Sequence, residues 1–78
     1  MKRIQVLGSG CKSCVSTATM IADKAKALGI EIELEKVTDM AAILGYGVMS
    51  TPGVVVDGKV VHAGGIPPAD RVETWLRG

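Results

Sequence analysis

The sequence predicts an α/β domain with the element order β-α-β-α-β-β-α, and three observations carry that prediction. Runs of period two alternate with stretches whose apolar residues recur at steps of three and four, the pattern of strands interleaved with helices. Asp57-Gly58 stands between two valine-rich runs, a strong short-range signal for a β-hairpin. No linker, repeat or low-complexity segment interrupts the 78 residues, so residues 1–78 are expected to form one domain.

The elements follow in chain order. Arg3 to Leu7 mixes Ile4, Val6 and Leu7 with polar neighbours and stops at Gly8-Ser9-Gly10, which reads as a short strand entering a tight turn. From Cys11 the period changes. Cys14, Ala18, Ile21, Ala25 and Leu28 trace one helical face, Val15 and Ala22 widen it, and Asp23, Lys24 and Lys26 lie off it. Gly29 then suits the left-handed stop after a helix. Ile30, Ile32 and Leu34 alternate with Glu31, Glu33 and Glu35, which predicts a half-exposed strand at a sheet edge. The glutamates read as a solvated face, with an acidic docking stripe as the other reading. Thr38-Asp39 offers a cap for a short second helix through Met40, Ala41, Ile43 and Leu44, ending at Gly45-Tyr46-Gly47. Val54-Val55-Val56 and Lys59-Val60-Val61 form the hairpin, and Gly64-Gly65 breaks its second strand. Pro67-Pro68 is compatible with a helix start, and Ala69, Val72, Trp75 and Leu76 make the apolar face of a closing helix.

Composition narrows the function classes. Hydrophobic residues make up 47% of the chain, but Tyr46 and Trp75 are its only aromatics, so the core must be aliphatic. Met20, Met40 and Met49 are expected to fill gaps in it, and Trp75 to lie in it. Nine basic residues nearly cancel eight acidic ones and form no block, which argues against a nucleic-acid or anionic-membrane partner. No apolar run approaches the roughly 18 residues of a membrane span, and the N-terminal apolar stretch is too short for a signal peptide. A soluble cytoplasmic protein is expected.

Cys11 and Cys14 are the whole thiol inventory. Secreted domains held together by disulfides carry more cysteines at dispersed positions, and a C-x-x-C loop is too small to constrain the unfolded chain much. The pair therefore reads as chemistry, either redox or metal. Cys11 sits where a strand turns into a helix, so its sulfur faces unpaired N–H groups and the positive end of the helix dipole. Cysteines so placed titrate at roughly 3.5–7.5 instead of about 8.5. Cys14 follows one turn later, on the apolar stripe. That asymmetry makes Cys11 the candidate attacking thiolate and Cys14 the sheltered resolving thiol. Two thiolates also suit Cu(I), so a soft-metal carrier using Cys11 and Cys14 is the alternative. Zinc fits less well, because His62 is the one further ligand of its usual kind and reads as an ordinary strand residue.

Strand, C-x-x-C helix, strand, helix, Thr51-Pro52, hairpin and closing helix together resemble the thioredoxin superfamily in its shortened, glutaredoxin-like form. More narrowly, Gly8-Ser9-Gly10-Cys11-Lys12-Ser13-Cys14 with Thr51-Pro52-Gly53-Val54-Val55-Val56-Asp57-Gly58-Lys59-Val60 and Gly64-Gly65 looks like the small redox-active disulfide proteins of bacteria and archaea. The resemblance implies a thioredoxin-like fold: a four-stranded mixed sheet flanked by three helices, with strands in the order second, first, third, fourth. It implies a thiol–disulfide oxidoreductase serving electron transport and cell redox homeostasis, with Cys11 and Cys14 catalytic. It further implies a cis Thr51–Pro52 bond against the cysteine pair and a Thr51 backbone that pairs with substrate. Gly64-Gly65 would lie near the same cleft, with Gly65 among the substrate-binding residues. No cofactor is implied beyond the Cys11–Cys14 disulfide. The implied partners are a disulfide-containing protein or small-thiol substrate and an external reductase or thiol donor, with the protein itself a monomer. Lys12-Ser13 stands where thioredoxins have Gly-Pro, and Gln5 where their first strand would offer a buried Asp.

Overall fold

The computed structural model describes residues 2–8 and 10–78; Met1 and Ser9, the centre of the expected Gly8-Ser9-Gly10 turn, lie outside the described residues. Seven elements follow in the expected order: β1 (Lys2–Leu7), α1 (Lys12–Leu28), β2 (Ile32–Val37), α2 (Met40–Gly45), β3 (Gly53–Val56), β4 (Lys59–Ala63) and α3 (Ala69–Arg77). The strands form one sheet in the order β2-β1-β3-β4. β1 runs parallel to β2 and antiparallel to β3, and β3 and β4 are antiparallel, so the sheet is mixed.

Successive strand residues point to opposite faces, and the two faces bury different clusters. Ile4, Val6 and Val54 pack with Ala18, Ile21 and Ala25 of α1 and Val72 and Leu76 of α3. Leu7 and Val55 turn the other way, onto Ile43 of α2 and Val48. The result is three layers, with the C-x-x-C helix on the face shared with α3.

Each boundary has a local cause. Gly29 adopts φ 68°, its N–H donates to the Lys26 carbonyl, and the Ile30 N–H donates to the Ala25 carbonyl at 2.9 Å. These two bonds are the Schellman closure of α1. They also explain why β2 begins at Ile32 and not Ile30: residue 30 is occupied in ending the helix, and its side chain packs on the first cluster. Asp39 caps α2 by accepting from the Ala41 N–H at 3.2 Å. Asp57 and Gly58 take φ 49° and 84°, the positive pair a two-residue hairpin demands. The register then slips by one residue: Val55 faces Val60 but Val54 faces His62, leaving Val61 as a bulge. Pro68 occupies the position before α3 and not its first turn, with extended ψ of 146°.

Several apolar residues lie outside where the pattern puts them. Val15 and Ala22 are exposed, so the buried stripe of α1 is narrower than its apolar positions suggest. A helix of six residues buries one side chain, Ile43, and leaves Met40 and Leu44 exposed. Met20 does pack against the first cluster, but Met49 is 93% exposed, so Met40 and Met49 fill no gap. Trp75 is half-buried at the margin of that cluster, its ring 6.0 Å from His62.

Candidate active site

Cys11 is the residue before α1, extended at φ −69° and ψ 161°, and exposed. Its Sγ accepts from the Cys14 backbone N–H at 3.2 Å, while its carbonyl accepts from the Val15 N–H at 3.0 Å. The sulfur thus takes the place an Asp or Ser oxygen takes in an ordinary helix cap. Cys14, one turn on, is only 5% exposed and is joined to Cys11 in a disulfide, with Cα atoms 5.0 Å apart. One sulfur lies at the surface and the other behind it. Further along α1 the Thr17 hydroxyl, fully buried, donates to the Ser13 carbonyl at 2.8 Å, which satisfies it inside the helix.

The second half of the chain meets the pair through a glycine. A side chain on buried Gly8 would collide with Cys14 Sγ on one side and stand 3.8 Å from Thr51 Cβ on the other. The strand end, the inner cysteine and Thr51 therefore converge at one place. The Thr51–Pro52 peptide bond is cis; Thr51 is exposed and Pro52 buried. The Pro52 carbonyl accepts from the Gly64 N–H at 2.9 Å. Gly64, φ 82°, is thus the glycine of the pair that touches Pro52. Gly65 lies one step further out, exposed, its carbonyl 2.9 Å from His62 Nε2. A carbonyl only accepts, so Nε2–H is the donor.

The other candidates have structural work. The Tyr46 hydroxyl donates to Gln5 Oε1 at 2.9 Å, and its ring packs on the second cluster. Gln5 Nε2 in turn donates to Glu35 at 3.2 Å, and Glu35 pairs with Arg3 at 3.6 Å. This network lies on the face opposite α1, so Gln5 does not underlie Cys14. It also gives Glu35 of the glutamate row intramolecular partners. The groove lined by Arg3, Glu33, Leu34 and Glu35 includes none of the converging residues. The soft-metal alternative loses its fold: a carrier of β-α-β-β-α-β order has a third strand directly after its second, whereas here α2 follows β2. Pattern reading missed Gly8, which resembles any turn glycine; its absence from the positive-φ residues is visible only in the backbone.

The family model described as a thioredoxin domain matches residues 2–77. A thioredoxin of Methanothermobacter thermautotrophicus is 33% identical over 76 residues, covering 97% of this chain and 99% of that protein. A thioredoxin of Methanocaldococcus jannaschii is 35% identical over 74 residues, covering 95% of this chain and 85% of the other. Among solved structures, chloroplastic thioredoxin z superposes over the whole chain and 80% of its own length, with a TM-score of 0.69 at 15% identity. That likeness is one of fold.

Proposed function

The chain belongs to the thioredoxin family and is a thiol–disulfide oxidoreductase; from that premise we propose that Cys11 is its nucleophile and Cys14 its resolving thiol. The observation that carries the assignment is the unequal burial of two sulfurs joined across one helical turn, the exposed one receiving a backbone N–H. An N–H and a helix dipole aimed at a sulfur stabilise negative charge there, and the thiolate is the attacking species.

In the reduced protein, Cys11 thiolate attacks one sulfur of a substrate disulfide. The substrate S–S bond breaks, a Cys11–substrate bond forms, and the first substrate thiolate leaves and is protonated. Cys14 then gives up its proton and attacks Cys11 Sγ. The Cys11–Cys14 bond forms as the mixed disulfide breaks, and the second substrate thiolate takes up the proton. Two electrons have passed from the cysteine pair to the substrate, and an external reductase or thiol donor returns them. No resident cofactor takes part.

The substrate is a disulfide-bearing protein or small thiol, held along Thr51, Pro52 and Gly65. The convergence of Thr51 on Cys14 supports that placement, as does the bond tying Gly64 to Pro52. Pro52 has no N–H and its carbonyl is engaged, so Thr51 supplies the backbone groups for an extended substrate segment. In this reading residues 1–78 act as one monomeric domain in the cytoplasm, the compartment in which paired thiols are kept reduced.

The test is Cys14→Ser. Mixed with a disulfide peptide, the variant should accumulate a covalent adduct that peptide mapping places on Cys11, while Cys11→Ser forms none. An adduct on Cys14, or none on either variant, would overturn the assignment.

A further inference from the structure

Of the two glycines before Cys11 whose backbone is described, Gly10 has an evident conformational reason to be glycine and Gly8 has a different one. Gly10 takes φ 81° with open space where a Cβ would stand. Gly8 is not among the positive-φ residues, so its backbone is one any residue adopts. It is also held as an extension of β1, its N–H donating to the Val37 carbonyl at 2.9 Å. What it lacks is room. A Cβ there would overlap Cys14 Sγ and lie 3.0 Å from Cys14 Cβ, with Thr51 Cβ 3.8 Å away.

We infer that Gly8 is a positioning residue for the resolving step: its bare Cα is the wall against which the Cys14 sulfur is seated. The inference rests on the assignment of Cys14 as resolving thiol. Two features make the seat consequential. Cys14 is itself buried, and a methyl at position 8 would meet its sulfur inside contact distance and its Cβ at 3.0 Å, so the inner cysteine has to shift. Resolution also requires Cys14 Sγ to approach Cys11 Sγ in line with the bond to the departing substrate sulfur, a geometry sensitive to displacements below an ångström. In that step the Cys11–substrate S–S bond breaks as Cys11–Cys14 forms, and the substrate thiolate takes the proton Cys14 has lost. The first attack, made by exposed Cys11, does not pass through the seat.

Rapid quench of reduced protein with a disulfide peptide, read by mass spectrometry without reduction, follows both steps. Gly8→Ala should form the Cys11 mixed disulfide at the wild-type rate and resolve it about tenfold more slowly or worse. Val72→Ala, which opens the first core cluster, to which neither cysteine belongs, should resolve at the wild-type rate despite its lower stability. Wild-type resolution by Gly8→Ala, or equal slowing by Val72→Ala, overturns the inference. A failure of the wild-type protein to form any Cys11 adduct would instead refute the assignment of the cysteines. If Gly8→Ala does not fold well enough to assay, the urea midpoint of Gly8→Ala/Cys14→Ala decides. Recovery to that of Cys14→Ala alone locates the conflict at the sulfur, and no recovery overturns the inference.

Discussion

The β3–β4 hairpin carries Pro52 at one end and Gly64 at the other, so the residue that turns it matters to the whole second half of the site. Asp57 does two things at once. It holds φ 49°, and its Oδ1 accepts from the Arg3 N–H at 3.0 Å while its own N–H donates to the Arg3 carbonyl at 2.8 Å. Three substitutions separate these contributions. Asp57→Asn keeps both an acceptor and a residue type that tolerates left-handed backbone, and should cost less than about 0.5 kcal/mol. Asp57→Gly keeps the backbone but loses the acceptor. Because Arg3 is exposed and water can replace the carboxylate, the loss should lie below the usual range for a hydrogen bond to a charged group, at about 1 kcal/mol. Asp57→Ala loses the acceptor and adds left-handed strain, for a total of about 2 kcal/mol. In a domain of this size each kcal/mol moves Tm by about 4–8 °C. Thermal melts followed by far-UV circular dichroism should therefore rank the proteins wild type, Asn, Gly, Ala. Coincident melts for Gly and Ala would show that the positive φ costs nothing. An Asn variant melting with Ala would show that charge, and not the acceptor, holds the turn.

Two further outcomes are expected. The Lys24 ammonium, hydrogen-bonded to Glu73 at 3.1 Å, and then Arg77 hold the Glu73 carboxyl below the usual glutamate range. A lowered folded value means a stabilisation present above the unfolded-state value and lost as pH falls through the folded one. Urea midpoints should therefore show Glu73→Gln slightly less stable at neutral pH, equal to wild type in acid, and closer to it in high salt. A gap that persists in acid would contradict this sign. Tyr46→Phe removes the hydroxyl that donates to Gln5 and should cost about 0.5–1.5 kcal/mol in chemical denaturation while leaving disulfide exchange with a peptide unchanged. A slowed exchange would show that this network reaches the cysteines.

The element order was legible because each signal had a single backbone meaning. Asp57-Gly58 demands two positive φ angles, Gly29 one, and the three-and-four spacing of Cys14, Ala18, Ile21 and Ala25 one buried face. Where one signal served two structures, the boundary moved. Ile30 fits both an alternating strand and the apolar contact that closes a helix, and the closure takes it. Apolar identity alone misplaced Met40 and Met49, because a six-residue helix and the irregular segment before β3 have too little neighbouring surface to cover them. The two cysteines and Thr51-Pro52 stood out as a motif, being rare residues at a telling distance. Gly8 did not. A glycine needed for space and one needed for angle are the same letter, and only the position of a sulfur three-dimensionally beside it tells them apart. The bulge at Val61 was hidden for a similar reason: Val60-Val61-His62 reads equally well with or without a slipped register.

The displaced residue in the last strand has a use of its own. Main chain left unpaired beside the sulfurs, as proposed for Thr51, is the same kind of edge that invites stacking into fibrils. Here the two outer strands are poor templates for such growth: one is studded with Glu33, Glu35 and Lys36, and the other is thrown out of step midway by Val61. In the proposed placement, pairing is offered at Thr51, beside the inner cysteine, and discouraged along the two margins.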